Sequence, residues 1–300
     1  MEVKKITHHN SIRINESELI LNPDGSIYHL NLKPENISDT LLFVGDQDRV
    51  EKITKHFDTI EFSTQKREFK TQTGTYKGKR ISVLSTGIGP DNIDIVINEL
   101  DALVNIDFKT RTIKDTLKSL DIIRIGTSGS LQSNIPVDSF LIGTHGLDLN
   151  GMLHFYQLGS LGNPDIEHAF IKHTQWSSNK AKPILINNSK KLERVFESAL
   201  TYKGITGTNG GFYGPQGRVL RLAIQDSELN NKMNNFIYNE HRISNLEMET
   251  AAIYGLSKLL GHNALSLNAI IANRANGTFS QNPTKTVESL ILYALDKLVE

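Results

Sequence analysis

Twice in its first third this chain runs from an apolar segment through a glycine-bearing polar loop into an amphipathic helix, and that order restricts its fold more than any other feature. Thr40-Leu41-Leu42-Phe43-Val44 reads as a buried strand ending in Gly45-Asp46-Gln47-Asp48-Arg49, after which Val50, Ile53, Thr54 and Phe57 keep helical spacing. Residues 80–86 alternate as a strand, stop at Gly87-Ile88-Gly89-Pro90, and give way to Ile93, Val96, Ile97, Leu100 and Leu103 on one helix face. Asp121-Ile122-Ile123-Arg124-Ile125 is a third strand, which is expected to feed a turn at Gly126-Thr127-Ser128-Gly129-Ser130. Further strands are predicted at 139–143, 183–186, 204–208 and 264–273, and helices from Ser189 to Leu200, Met248 to Leu260 and Val287 to Leu298. No repeat, low-complexity tract or linker interrupts the pattern, so it predicts one α/β domain around a parallel or mixed sheet. Ligands of such sheets bind where strands end, which directs attention to the loops.

Composition narrows the partner. Lys and Arg total 33 and Asp and Glu total 33, so no net field draws the chain to nucleic acid or an anionic membrane. The absence of cysteine excludes disulfides, thiolate zinc sites and thiol nucleophiles. The first ten residues lack the apolar core of a signal peptide and no window reaches membrane-span length, so a soluble, cytoplasmic protein is expected. Residues up to about 27, including His8 and His9, read as a loosely held N-terminal extension, and residues 28–300 as the domain.

Three groups of residues carry chemistry. Arg49, Arg67, Arg124 and Arg218 stand in or beside the loops. Gly45, Arg49, Arg124 and Thr127 together supply the opposed cations, backbone donors and hydroxyl that a phosphate needs. In Gly210-Gly211-Phe212-Tyr213-Gly214-Pro215-Gln216-Gly217-Arg218, Gln216 offers one donor and one acceptor face, and with Arg218 it suits the edge of a nucleobase over a Phe212 plane. In Glu247-Met248-Glu249 a carboxylate either complements a helix dipole or accepts from a ribose diol. No histidine and carboxylate set has metal-ligand spacing.

These segments, with Lys66-Arg67-Glu68-Phe69 and Ser85-Thr86-Gly87-Ile88-Gly89, occur in the order found in uridine phosphorylases, and the chain resembles that family from about Tyr28 onward. The resemblance implies the nucleoside phosphorylase fold, a central mixed, barrel-like sheet flanked by helices, and a homodimer as the minimal unit, often assembled into hexamers. It implies that Gly45, Arg49, Arg124 and Thr127 bind phosphate, with Arg67 reaching the phosphate of the neighbouring subunit. By the same resemblance His29 crosses to the ribose 5′-hydroxyl, Met248 and Glu249 hold the ribose, and Phe212, Gln216 and Arg218 take the base. Inorganic phosphate is then the co-substrate. Some relatives bind potassium through the position of Glu68, although Asn92 replaces their serine ligand here. Val44-Gly45-Asp46-Gln47 departs from the family's Pro-Gly-Asp-Pro, and residues 105–119 form a longer, more polar segment than is typical. Ala272-Asn273-Arg274-Ala275 lacks the aspartate that purine phosphorylases use, which favours a pyrimidine. The implied activity is phosphorolysis of uridine; the alternatives are a purine or broad-range phosphorylase, a nucleosidase, and a non-catalytic nucleoside-binding relative.

Overall fold

In the computed structural model, which describes residues 12–300, the strand Thr40–Val44 (β1) is buried at every position. Leu41 and Phe43 face one core with Ile93, Val96, Leu100, Ile122 and Tyr254, while Leu42 and Val44 face a second with Val50, Ile53, Ile123, Leu290 and Leu295. Both faces of the sheet are covered, which is why its central strands read as continuous apolar runs rather than alternating ones. Each such side chain contributes about 1.5–3 kcal/mol on burial.

After β1 come Gln47–Thr54 (α1), the antiparallel strands Thr59–Lys66 (β2), Phe69–Tyr76 (β3) and Lys79–Ser85 (β4), and the helix Pro90–Asn105 (α2). A small hairpin, Ile106–Asp107 (β5) with Thr112–Ile113 (β6), leads to Asp121–Ser130 (β7) and Phe140–Asp148 (β8). Pro164–Thr174 (α3), Ile184–Asn187 (β9), Lys190–Phe196 (α4), Thr201–Thr208 (β10), Leu229–Asn235 (α5), Ile237–Tyr238 (β11) and His241–Glu247 (β12) follow. Thr250–Leu260 (α6), Asn263–Asn273 (β13), Thr278–Phe279 (β14) and Pro283–Val299 (α7) complete the chain.

β1 pairs in parallel with β4 and β7, and β7 with β13. β13 pairs antiparallel with β8, β8 in parallel with β10, and β10 in parallel with β12. β12 returns to β7 through Asn245 opposite Ser130 and Leu246 opposite Gly129. The five strands β7, β13, β8, β10 and β12 therefore close on themselves, and β1, β4, β3 and β2 extend the sheet from the seam. This is the expected mixed, barrel-like α/β architecture.

Three expectations change. Residues 126–130 are strand, not turn: β7 runs unbroken, because β13 pairs with it along its whole length. The helix expected from Met248 starts at Thr250, with Glu249 as its N-cap. Residues 12–27 are not loose. Arg111, at the tip of the β5–β6 hairpin, donates to the carbonyls of Ile14, Asn15 and Leu19, and Leu19 and Ile27 are buried in the first core. His8 and His9 lie outside the described residues. Among the described residues no helix is long and apolar enough to cross a membrane.

Candidate active site

β7 pairs with β1 as far as Arg124 and with β12 only from Gly129. Between them, residues 126–128 have one edge with no strand beside it, and there a cavity of about 260 Å³ opens. It is lined by Gly45, Arg49, Arg124, Thr127, Phe212, Gln216, Arg218, Met248 and Glu249, nine of the residues singled out from sequence. They come from β7, from the segments just after β1 and β12, from the first turn of α1 and from the loop after β10, so the sheet gathers them around one stretch of β7.

Arg124 is buried, and three side chains meet its two terminal nitrogens. One nitrogen donates to Glu249 Oε2 at 2.5 Å and lies 3.3 Å from Glu247 Oε2; the other donates to Asn268 Oδ1 at 3.1 Å. Burial opposes its charge, but Glu247 and Glu249 outweigh that and raise its pKa. Arg49 donates to the Ile125 carbonyl at 3.3 Å, and burial together with the nearby Arg124 lowers its pKa. Two guanidiniums lining one cavity would welcome an anion between them. Arg49 is the third residue of α1, whose N-cap Asp46, in the short loop after β1, accepts from Asp48 N. In place of the family's second proline, Gln47 donates to the Arg67 carbonyl at 2.6 Å and so ties this loop to the β2–β3 turn.

Glu249 Oε1 accepts from Gly89 N at 2.8 Å, so its carboxylate joins the second glycine loop to Arg124. Glu247, fully enclosed, accepts from Glu249 N, Thr250 N and Thr208 Oγ1. Burial raises its pKa, with Arg124 acting against the rise.

On the opposite wall Arg218 Nη1 donates to Gln216 Oε1 at 2.8 Å and to the Phe212 carbonyl at 2.6 Å, with its guanidinium 3.7 Å from the Phe212 ring centroid. Arg274, absent from the sequence-based candidates, donates to Gln216 Oε1 at 3.1 Å and to its carbonyl at 2.5 Å. Burial, reinforced by Arg218, lowers the Arg274 pKa to about 10. With two arginines on Oε1, the amide is oriented with Nε2 as its remaining donor. Asn268 and Arg274 lie in and just after β13, which the sequence predicts as a strand; a polar residue in its apolar run was the available signal for Asn268.

His29, Arg67 and Glu68 do not line this cavity. His29 Nδ1 lies 2.6 Å from Glu99 Oε1, and the amides of His29 and Leu30 donate to the same carboxylate. Arg67 is exposed in the two-residue turn between β2 and β3, with a positive φ of 55°. Glu68 and Asn92 flank Gly87.

The phosphorylase superfamily model matches residues 39–297. A uridine phosphorylase of Thermococcus kodakarensis is 28% identical over 277 residues, covering 92% of this chain and 88% of that protein. A DeoD-type purine nucleoside phosphorylase of Bacillus thuringiensis is 26% identical over 276 residues, 91% of this chain and 98% of the relative. Among solved structures, a Trypanosoma brucei nucleoside phosphorylase with uridine phosphorylase activity superposes with a TM-score of 0.84 at 26% identity, covering 94% of this chain and 99% of that one.

Proposed function

Because this chain belongs to the phosphorylase superfamily, we propose that it cleaves uridine with inorganic phosphate, giving uracil and ribose 1-phosphate. The observation that carries the reading is a single cavity holding a cationic end at Arg49 and Arg124, a carboxylate at Glu249, and an amide with a guanidinium at Gln216 and Arg218.

In this reading phosphate sits against Arg49, Arg124, Thr127 and the Gly45 backbone, and Glu249 accepts from the ribose hydroxyls with Met248 against the sugar. A phosphate oxygen forms a bond to the anomeric carbon as the glycosidic C–N bond breaks, and the electron pair leaves with uracil, which then takes a proton. Gln216 and Arg218 stabilise the charge growing on the base, a contribution made chiefly in the transition state. Phe212 supplies the plane over the ring, and Arg274 positions the Gln216 amide.

His29 and Arg67 are assigned to the site of a second copy, so the working unit is a homodimer, in larger assemblies a hexamer. A potassium ion, if one is used, would take Glu68 and the Asn92 amide oxygen beside Gly87. The likeness to purine phosphorylases keeps a second base class in view, and Arg274 at the end of β13 argues for the pyrimidine. We assign the activity to the cytoplasm.

The deciding experiment incubates purified protein with uridine, deoxyuridine, thymidine, inosine and adenosine, each with and without phosphate. Uracil and ribose 1-phosphate from uridine, only when phosphate is present, are expected. Uracil release independent of phosphate would mean a nucleosidase. Inactivity with all five would end the enzymatic reading.

A further inference from the structure

Next to the site lies a larger cavity of about 750 Å³ that the phosphorolysis reading leaves unused. Its walls are mostly apolar, with Leu149, Trp176, Leu220, Leu222, Ile224 and Leu229 among them. Leu220 and Leu222 are 79% and 78% exposed, so the segment after the Gln216 turn presents leucines to an open space. That volume is typical of sites for small organic molecules.

The polar groups of this cavity favour one sign. Lys180, Arg218 and Arg221 line it, and none of the three forms an ion pair among the described residues. Its one acidic residue, Asp226, is paired with Lys232 at 2.9 Å, with Lys180 near enough to help lower its pKa, so three cations and one lysine outside the lining surround a single carboxylate. Lys180 stands 4.7 Å over the Trp176 ring. The wall also contains Asn209, 2% exposed, whose Nδ2 has no hydrogen-bond partner. A buried donor left without an acceptor costs about 1–3 kcal/mol, and an acceptor on a bound molecule would remove that cost.

We propose that this cavity is a second ligand site for an amphipathic organic anion, its apolar body against Trp176 and the leucines and its carboxylate met by Arg218, Arg221 and Lys180. Arg218 lines both cavities. An occupant that engages Arg218 draws it away from the base, so this ligand weakens nucleoside binding; that second half rests on the base contact proposed above.

Trp176 is the only tryptophan in the chain, so its fluorescence reports the cavity directly. The probes are 4-phenylbutyrate and its uncharged counterpart 4-phenylbutan-1-ol, titrated into the full-length protein without substrate. The expected result is a saturable change for the acid, with an affinity at least about tenfold above that of the alcohol. Leu222→Asp, at an exposed position, should weaken the acid about tenfold, and the double variant Lys180→Met/Arg221→Met, which keeps only Arg218, should cut the acid's advantage over the alcohol several-fold. No saturable change, equal affinity for the two probes, or full binding by Leu222→Asp would overturn the site. Saturating 4-phenylbutyrate should also raise the KM for uridine several-fold; an unchanged KM with the cavity filled overturns the sharing of Arg218. Because binding is read without nucleoside, a chain that failed to cleave uridine would leave the first test intact.

Discussion

The guanidinium of Arg124 folds back along its own strand onto Gly126, where a Cβ would overlap its terminal nitrogens and central carbon. Gly126 is therefore required by the arginine two residues before it and not by a turn. Gly126→Ala should push Arg124 out of line with Glu249 and Asn268 while leaving the β7–β13 ladder in place. We expect kcat/KM for phosphorolysis to fall about 100-fold with the urea midpoint little changed, since one misplaced charge-stabilising donor is worth about that much. A variant within threefold of wild type would show that Arg124 has room to relax. Arg124 and Thr127, which line the cavity, were legible as candidates because a cation and a hydroxyl are unusual in an apolar run. The reason for Gly126 was not, because it depends on how the Arg124 side chain folds, nor was the place of Arg274, which depends on contacts between segments far apart in the chain. A second residue-scale consequence concerns His145 on β8. Burial, with His241, Lys190 and Lys258 nearby and Glu193 opposing them, lowers its pKa to about 4. Its ring lies 5.1 Å from that of His241, centroid to centroid. The unfolded chain takes up this proton below about pH 6.5 and the folded one does not, so stability falls as pH drops from about 6.5 towards 4. Between pH 7.5 and 5 the loss from this residue should be about 1–2 kcal/mol in urea unfolding. His145→Asn should flatten that part of the profile; an unaltered profile would mean that the ring is protonated in the folded state.

Secondary elements show where a sequence pattern carries structural information and where it does not. β1 and β7 were readable because both of their faces are covered, and α7 because one apolar stripe faces the second core. β2 was not, since it alternates exposed and half-buried positions around polar side chains at the edge of the sheet, and it resembles a loop in composition. The end of β7 was misread because glycine, threonine and serine are turn formers unless neighbouring strands pair with them. At the start of α6, Glu247 receives the first amides of the helix and at the same time faces Arg124, so one carboxylate serves as terminal acceptor and counter-charge. Glu247→Gln turns an amide NH2 toward some of those donors and removes half of the negative charge around Arg124. The predicted loss is about 3 kcal/mol of unfolding free energy, the scale for stripping one partner from a buried ion pair. A loss under about 1 kcal/mol would indicate that the carboxyl is already neutral in the native protein and that Glu249 alone balances Arg124.

At the scale of the whole molecule, the two segments that depart from the family pattern meet each other: residues 12–27 pack against the hairpin carried by residues 105–119, through the three carbonyls that Arg111 holds. That contact leads directly into Tyr28 and His29, whose imidazole and amide are fastened to Glu99 on α2. His29, held by Glu99, and Arg67, exposed in the β2–β3 turn, both lie outside the cavity of their own chain, and the proposal above gives them to a neighbour's. Subunit mixing tests this without a structure of the assembly. Arg124→Met and Arg67→Met should each be nearly inactive as pure proteins. If Arg67 acts across an interface, a mixed dimer contains one site with intact Arg124 from one chain and intact Arg67 from the other, and one site lacking both. Random reassociation of equal amounts should then restore roughly a quarter of wild-type activity, half the dimers being mixed and half their sites complete. If Arg67 instead acted within its own chain, every site in the mixture would lack one of the two cations, and no activity would return.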